Sequence, residues 1–184
     1  MKLLTRTMLT IACLTLLGGL THAGDDEPFG GPGSIQYSQD LWKALEQANL
    51  IGANATLGKH YQGVHPHGAI LDTIEAGVTV NGHQGHVIVK RNYGGEDASI
   101  EKVANDPGKY LGAITVMFKR EAGYDPENGD WFWAKYLPSG DLDKNPKGVQ
   151  LAGRVAKGMT QGCIACHTGA PGKDMVFLHN RFAK

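Results

Sequence analysis

The stretch "GAILDTIEAGVTVNGHQGHVIVKRNY" at residues 68–93 consists of short runs of β-branched and aromatic residues, interrupted by glycines and by one Asn-Gly pair. Val, Ile, Thr and Tyr favour extended backbone, and Asn-Gly is typical of a tight turn between antiparallel strands. We interpret residues 68–74, 77–82 and 86–93 as strands. The stretch therefore predicts neighbouring strands of an antiparallel sheet.

Two later runs extend the predicted sheet. Residues 113–120, "AITVMFKR", and residues 130–136, "DWFWAKY", are again rich in β-branched and aromatic side chains. The connection "YDPENGD" at residues 124–130 carries turn-forming residues and predicts a hairpin-type link. The longer excursion at residues 94–110 predicts a short helix.

Helical patterns lie on both sides of these runs. Apolar residues recur at helical spacing after Ser38, which predicts a helix from about 39 to 49 with Ser38 as its N-cap. A looser helical pattern runs from Leu151 through Met159 towards the C-terminus. The sequence thus predicts an α+β fold, an antiparallel β-sheet with flanking helices.

The first 23 residues have the layout of a secretory signal peptide. Lys2 and Arg6 precede an apolar run at residues 8–20, and a small-residue cleavage site follows at Ala23. The apolar run is shorter than the roughly 20 residues that a membrane-spanning helix needs. We therefore expect residues 1–23 to be removed and the mature protein to be exported to the periplasm, with no membrane partner.

The remaining chain has the size of one ordinary domain. Residues 24–36 are rich in glycine, proline and acidic side chains and predict a flexible N-terminal arm, while residues 37–184 predict a single domain. Basic and acidic residues are balanced at 18 each over the full chain, and no basic run occurs. This balance argues against a nucleic acid as partner.

The motif "CIACH" at residues 163–167 indicates a cofactor. With Cys13 removed, Cys163 and Cys166 are the only cysteines of the mature chain. Thiols at this spacing project from the same side of one helical turn. CxxCH is the signature of c-type haem attachment, in which both cysteines form thioethers and the histidine binds the iron. We expect one haem c per chain, attached near the C-terminus, with His167 as the iron ligand.

Three other chemistries compete with haem attachment at this motif. A structural zinc site needs four ligands, and the mature chain offers no second cysteine pair. A thioredoxin-like redox pair normally lies near a βαβ pattern, which the preceding sequence does not predict. A plain disulfide is the remaining alternative. The intact CxxCH motif together with the export signal favours haem.

The residues alone leave the sixth iron ligand open. An iron with two strong axial ligands mainly carries electrons, whereas one with an open position is reactive. Met117 lies in an alternating strand, which favours a core role. The histidines of "HPHG" (65–68) and "HQGH" (83–86) are also candidates for a second metal site. The candidate sixth ligands are Met117, Met159, Met175, His60, His65, His67, His83, His86 and His179.

Four segments resemble the cytochrome P-460 family of periplasmic c-type haem proteins. They are "PHGAIL" (66–71), "VIVKRNY" (87–93), "ITVMFKREAGYDPENGDWFWAKYLPSG" (114–140) and "GCIACHTGAPGKDMVF" (162–177). The resemblance covers the chain from about 60 to 178. The combination of "GDWFWAKY" with CxxCH and a trailing "DMVF" is far more specific than CxxCH alone. We expect the aromatic residues of "GDWFWAKY" to pack within the sheet and against the haem.

The resemblance implies an antiparallel sheet with flanking helices, a homodimer, and a five-coordinate haem with a vacant distal face. Some family members oxidise hydroxylamine with a haem that is also bonded to a lysine. Others, the beta class of cytochromes c-prime, bind nitric oxide and carbon monoxide without that bond. A small diatomic or hydroxylamine-like ligand and a soluble redox partner are therefore expected, and whether the chain is an enzyme stays open. A six-coordinate electron-transfer cytochrome is the alternative.

Two residues outside the haem motif are candidates for catalysis. Lys90 falls where the cross-linking lysine of the hydroxylamine oxidisers stands, and strand alternation places it on the face of Ile88, opposite Val87 and Val89. The family's distal arginine has no counterpart, and His67 is the polar residue of that stretch. No clear match exists for the family's distal acid. The acidic residues available for that role are Glu75, Glu96 and Glu121.

Overall fold

The computed structural model describes residues 27–177. It contains one six-stranded antiparallel sheet whose strands follow one another in chain order, which confirms the predicted α+β fold. The predicted signal peptide and His179 lie outside the described residues. The strands are β1 Tyr61–Gln62, β2 Ile70–Val80, β3 His83–Tyr93, β4 Leu111–Lys119, β5 Trp131–Tyr136 and β6 Ala152–Gly153. The helices are α1 Pro32–Gln47, α2 Ile100–Asn105, α3 Pro107–Tyr110 and α4 Cys163–His167.

The hairpin of β2 and β3 forms the centre of the sheet. Its strands pair from Ile70 opposite Tyr93 up to Val80 opposite His83, and the Asn-Gly pair makes the turn with positive φ at both residues. The prediction of two separate strands at 68–74 and 77–82 was wrong. Gly77 stays extended and pairs with His86, so the two runs form one continuous strand.

Helix α1 begins at Pro32, earlier than predicted. The predicted N-cap, Ser38, lies inside the helix, where its hydroxyl donates to a backbone carbonyl. The exposed N–H groups of the first turn are satisfied instead by Glu27, whose carboxylate accepts hydrogen bonds from the backbone of Gly33 and Ser34. Proline suits the first helical position because it lacks the N–H that would otherwise need a partner.

Of the predicted flexible arm at residues 24–36, residues 24–26 lie outside the described residues, and residues 27–36 depart from a loose chain. Residues 32–36 are helical, and Gly30 N donates to Ala152 O of β6 over 2.8 Å. Phe29 packs against a cluster of buried residues behind the sheet. A backbone contact with an edge strand therefore holds a segment whose composition alone predicts a loose chain.

The predicted helical stretch between Leu151 and Met159 was also wrong. This segment contains β6 and turns, and Gly153, Ala156 and Gly158 all have positive φ, at 99°, 64° and 71°. A right-handed helix cannot pass through left-handed backbone. The helical part is limited to the five residues of α4. The excursion at 94–110 does contain helices, as predicted.

The two faces of the sheet pack against different parts of the chain. One face packs against α1 in the main core, a cluster that includes Leu41 and Leu45 of the helix and Val89 and Phe118 of the sheet. The opposite face carries Ile88, Met117, Trp131 and Trp133, and it packs against the C-terminal segment that includes Val155, Ile164 and Met175. Successive side chains of a strand alternate between faces. The second face therefore receives the predicted haem motif.

A buried ion pair ties the loop after α1 to the sheet. Asp72 is fully buried, and Arg91 Nη1 donates to its carboxylate over 2.7 Å. The Tyr93 hydroxyl donates to the other carboxylate oxygen over 2.6 Å. The guanidinium also donates to the backbone carbonyls of Leu50 and Thr56. This network fixes the loop, because each buried charge has several partners.

No helix within residues 27–177 is long and apolar enough to cross a lipid bilayer.

Candidate functional site

A cavity of about 300 Å³ opens on the second face of the sheet. It is lined by strand β1 and the loop that follows it, by helix α4, and by side chains of β2 and β3. Four predicted site residues line it together, namely His67, Lys90, Cys166 and His167. The fold thus brings together groups that lie up to a hundred residues apart in the chain.

A larger groove of about 470 Å³ lies on the outer side of α4, between Glu127, Met159 and Thr168. Neither Lys90 nor His167 reaches it. We therefore assign the site to the smaller cavity, which has the predicted chemistry on its walls.

The two cysteines occupy the single turn of α4, as the motif predicts. Gly162 precedes them with φ 127°, and a Cβ at that position would lie 2.3 Å from the Cβ of Ala156. Glycine is therefore required for the chain to enter the helix. Neither thiol is in a disulfide, and burial raises the pKa of Cys163 to about 11. A protonated thiol argues against a redox pair, which depends on a readily formed thiolate.

His167 has the environment of an oriented metal ligand. Its Nδ1 lies 2.6 Å from the carbonyl oxygen of Met175, and since a carbonyl can only accept, Nδ1 carries the proton. Nε2 is then left with a lone pair. Burial lowers the pKa of His167, so the ring is neutral. Ligating histidines characteristically donate their second ring N–H to such an acceptor.

The backbone segment that carries the Met175 carbonyl has an uncommon conformation and is held by a side-chain hydrogen bond. Met175 has φ 67°, a left-handed conformation that is uncommon for a residue other than glycine. Trp131 fixes this segment, because its indole Nε1 donates to the carbonyl oxygen of Asp174 over 3.0 Å. The tryptophan predicted to pack in the sheet thus also positions the "DMVF" segment.

Trp131 and Trp133 offer a matched pair of substitutions. Both indoles are buried, but Trp133 Nε1 has no hydrogen-bond partner among residues 27–177. Replacing either by phenylalanine removes a similar volume, whereas only Trp131→Phe breaks a hydrogen bond. We expect Trp131→Phe to lower the free energy of unfolding by about 1 kcal/mol more than Trp133→Phe does. Urea denaturation of both variants measures this difference, and equal losses would contradict the anchoring role.

His67 lies across from His167. The ring centres are 6.2 Å apart and the ring planes are at 81°. Burial lowers the pKa of His67 to about 4, and the nearby positive charge of Lys90 also acts to lower it. A polar interaction with the Asn92 side chain acts in the opposite direction. His67 is therefore a neutral imidazole at neutral pH.

Lys90 lies on the face that strand alternation predicts. Ile88 belongs to the cluster on the haem-motif side, whereas Val87 and Val89 belong to the main core with α1. Lys90 shares a row across the sheet with Thr115 of β4, which is paired in turn with Lys135 of β5. Its side chain reaches the cavity wall.

Most of the other predicted ligand candidates lie elsewhere. His60 lies beside Asp72 and Tyr93, and the ring of His83 contacts the carbonyl oxygen of Lys119. Met159 is exposed, while Met117 is buried in the cluster behind the sheet. Among the candidate histidines described, only His65 and His67 line the cavity.

The structure also bears on the predicted second metal site and on the three candidate distal acids. Within the described part of the chain, no group of three or more His, Cys, Asp or Glu side chains that could hold a metal ion is found, at "HPHG" and "HQGH" or elsewhere. Glu75 pairs with His86 over 3.2 Å, and Glu121 pairs with Arg120 over 2.7 Å. None of the three candidate acids lines the cavity.

Sequence reasoning missed three contributors to the site. The carbonyl of Met175 orients His167, and no side-chain pattern signals a backbone acceptor. Phe177 packs its ring 5.1 Å from that of His167. Asn92 is buried below the cavity, and its Oδ1 has no hydrogen-bond partner among the residues described. A polar residue in a buried strand was the available signal for Asn92.

These residues fit a haem. The donor set supplies two thiols on one helical turn and a neutral imidazole with a free lone pair. Two buried polar atoms near the cavity, Trp133 Nε1 and Asn92 Oδ1, lack protein partners in the described structure. Buried polar groups normally have partners, so a cofactor with polar substituents suits this surface.

The model of the family described as Cytochrome P460 matches residues 42–178. No match was found among curated proteins or among solved structures. The match confirms the resemblance seen in the sequence and extends it towards the N-terminus, from about residue 60 to Trp42. Because the match spans most of the chain, this protein belongs to the cytochrome P460 family and is a haem-binding cytochrome.

Proposed function

We propose that this protein is a periplasmic mono-haem cytochrome c that binds small nitrogen species, above all nitric oxide. Cys163 and Cys166 would hold the haem through thioethers, and His167 would bind its iron. The observation that carries this proposal is the single cavity that joins Cys166 and His167 to Lys90 and His67. An iron held by one protein ligand would be open to a small guest.

The residues of the chain set the properties of this site. The bound haem supplies an iron that accepts a small ligand and exchanges electrons. The Met175 carbonyl keeps the His167 ring in one orientation. The indole of Trp133 packs edge-on against that ring, with the two ring centres 4.7 Å apart.

Hydroxylamine oxidation is the second candidate function. Lys90 favours it, since its side chain lines the same cavity as Cys166 and His167 and could bond the haem edge. His67, a neutral imidazole, would accept a proton from the substrate on its unprotonated ring nitrogen. A soluble redox partner would take the electrons. Separately, we propose that the protein assembles as a homodimer. The absence of Glu75, Glu96 and Glu121 from the cavity lining favours ligand binding over turnover.

Two measurements on the mature holoprotein test these functions. Nitric oxide is expected to change the optical spectrum of the haem, and an unchanged spectrum at saturating nitric oxide would contradict the proposal. Mass analysis of proteolytic peptides is expected to find haem on the peptide of Cys163 and Cys166 and an unmodified peptide with Lys90. Haem on both peptides would select the oxidase instead.

A substitution of Lys90 separates the two functions further. Lys90→Arg keeps the positive charge but removes the amine that could form the additional bond. Lys135→Arg, on the same row of the sheet and paired with Asp143, is the matched control. We expect both variants to bind nitric oxide as the parent does. A change of the haem absorption bands in Lys90→Arg alone would indicate a cross-link.

A further inference from the structure

Asn92 has a buried side chain beside the cavity, and the proposed function does not use it. The residue is 6 % exposed, and it is paired in the sheet with Leu71, which lines the cavity. Its amide nitrogen Nδ2 donates to the carbonyl oxygens of Lys90 and Ala113, over 3.3 and 3.2 Å. Both acceptors belong to the backbone of β3 and β4, so they hold the amide in place.

The same two carbonyls fix which way round the Asn92 amide lies. A flipped amide would place its oxygen against two carbonyl oxygens, and none of these three atoms carries a hydrogen. The oxygen Oδ1 is therefore the end of the amide that is left without a strand partner. It has no hydrogen-bond partner among residues 27–177. A buried acceptor without a partner is costly, so a nearby donor would stabilise it.

His67 is the neighbour that can supply this donor. Burial lowers the pKa of His67 and the charge of Lys90 acts in the same direction, whereas the side chain of Asn92 raises it. An amide raises the pKa of an imidazole when its oxygen accepts from a ring N–H, because that contact stabilises the cation. No carboxylate side chain of the described residues lines the cavity, so no anionic acceptor there competes with Asn92 for this N–H.

A neutral imidazole has one N–H and one lone pair, on different nitrogens. His67 is neutral at neutral pH, because burial lowers its pKa to about 4. If its N–H donates to Asn92, the lone pair is on the other nitrogen. That nitrogen is the remaining polar atom of a ring that lines the cavity. His67 then offers a guest a hydrogen-bond acceptor and no donor.

We propose that Asn92 is a positioning residue that makes His67 a hydrogen-bond acceptor towards the guest, so that the site selects small nitrogen compounds with N–H or O–H hydrogens. This inference rests on the proposed function, because the haem iron holds the guest. Hydroxylamine has both kinds of hydrogen and can donate to the lone pair. Nitric oxide has none and gains nothing from His67. The ring stays off the iron, whose open position remains available.

The tautomer of His67 is measured first, in the parent holoprotein at neutral pH. Nitrogen-15 NMR of the ferrous carbon monoxide adduct, which is diamagnetic, distinguishes a protonated ring nitrogen from one with a lone pair. His67→Gln identifies the signals of His67 by their loss. We expect a single neutral tautomer. A ring that exchanges between both tautomers, or that is protonated on both nitrogens, would overturn the inference.

Three variants test whether Asn92 sets this tautomer. Asn92→Leu has a similar shape but no acceptor, and its His67 ring should populate both tautomers. Asn92→Asp keeps an acceptor in either protonation state and should keep the same ring nitrogen protonated. Asn128→Leu is the matched control, since Asn128 is also buried but lies at the outer groove and donates to Asp125. The parental tautomer in Asn92→Leu would show that Asn92 has no positioning role.

Guest selection gives a readout that a merely structural role of Asn92 would not change. Anaerobic titrations of the ferric holoproteins with hydroxylamine and with nitric oxide give the ratio of the two affinities. If the ring in Asn92→Leu divides equally between its tautomers, about half of the molecules offer a lone pair, and the ratio should shift about twofold against hydroxylamine. Asn128→Leu should keep the parental ratio. The parental ratio in Asn92→Leu would contradict the selection.

The outcomes separate this inference from the proposed function. A holoprotein that binds nitric oxide but has both tautomers of His67 overturns the inference alone. A holoprotein with the single tautomer and no optical response to nitric oxide overturns the proposed function and the guest selection, but leaves the contact between Asn92 and His67 intact. A chain without haem refutes the proposed function and the inference together.

Discussion

Alanine at both Cys163 and Cys166 is expected to give a chain that carries no covalently bound haem. The two thiols are the only cysteine side chains among residues 27–177, and both lie on the single turn of α4. Without them no thioether can form. Mass analysis of the denatured protein should find the mass of the haem on the parent and the bare polypeptide for the double variant.

His167→Ala is the matched control for this prediction. It removes the axial ligand from the same helical turn but keeps both thiols. The denatured control protein should therefore retain the haem mass while its folded form has an altered optical spectrum. If the double cysteine variant kept the haem mass after denaturation, attachment would lie elsewhere, and Lys90 would be the first position to inspect.

Asp72→Ala is expected to lower the free energy of unfolding by about 3–5 kcal/mol. Removal of the carboxylate leaves the guanidinium of Arg91 buried without its charged partner, and Arg91 is only 3 % exposed. The hydroxyl of Tyr93 loses its acceptor as well. The loop that contains Leu50 and Thr56 is held by the same guanidinium, so its packing should loosen. Urea denaturation measures the loss.

The exposed ion pair of Asp97 and Lys102 supplies the control. It has a similar distance, 2.9 Å, but both side chains are half-exposed. Water solvates either partner when the other is removed, so Asp97→Ala should have no measurable effect on unfolding. If Asp72→Ala and Asp97→Ala had equal effects, the burial of the first pair would have no energetic consequence.

Much of the sheet follows from local sequence. The Asn-Gly turn and the alternation in "HVIVKRNY" predict β3 and place Lys90 opposite Val89, and the structure confirms both. These features depend on the geometry of a single strand, in which neighbouring side chains point to opposite faces. Nothing outside the segment is needed to specify them.

The two wrong helix predictions, the start of α1 and the helix after Leu151, have a common physical origin. Helix α1 begins at Pro32 because Glu27 supplies its capping acceptor, whereas Ser38 had the more familiar capping side chain. The segment after Leu151 has helical spacing, but positive φ at Gly153 and Ala156 prevents a helix. Backbone conformation and distant partners overrode the local pattern in both places.

The sequence by itself predicted the strand runs that form β2 to β5 and the chemistry of α4, where two thiols and an imidazole lie on one helical turn. Only the tertiary structure decided that His67 lies opposite His167 and that Met175 supplies the acceptor that orients His167. The physical reason is the separation along the chain between the residues that interact. Strand alternation and helical spacing act between neighbours, whereas the cavity depends on contacts between segments up to a hundred residues apart.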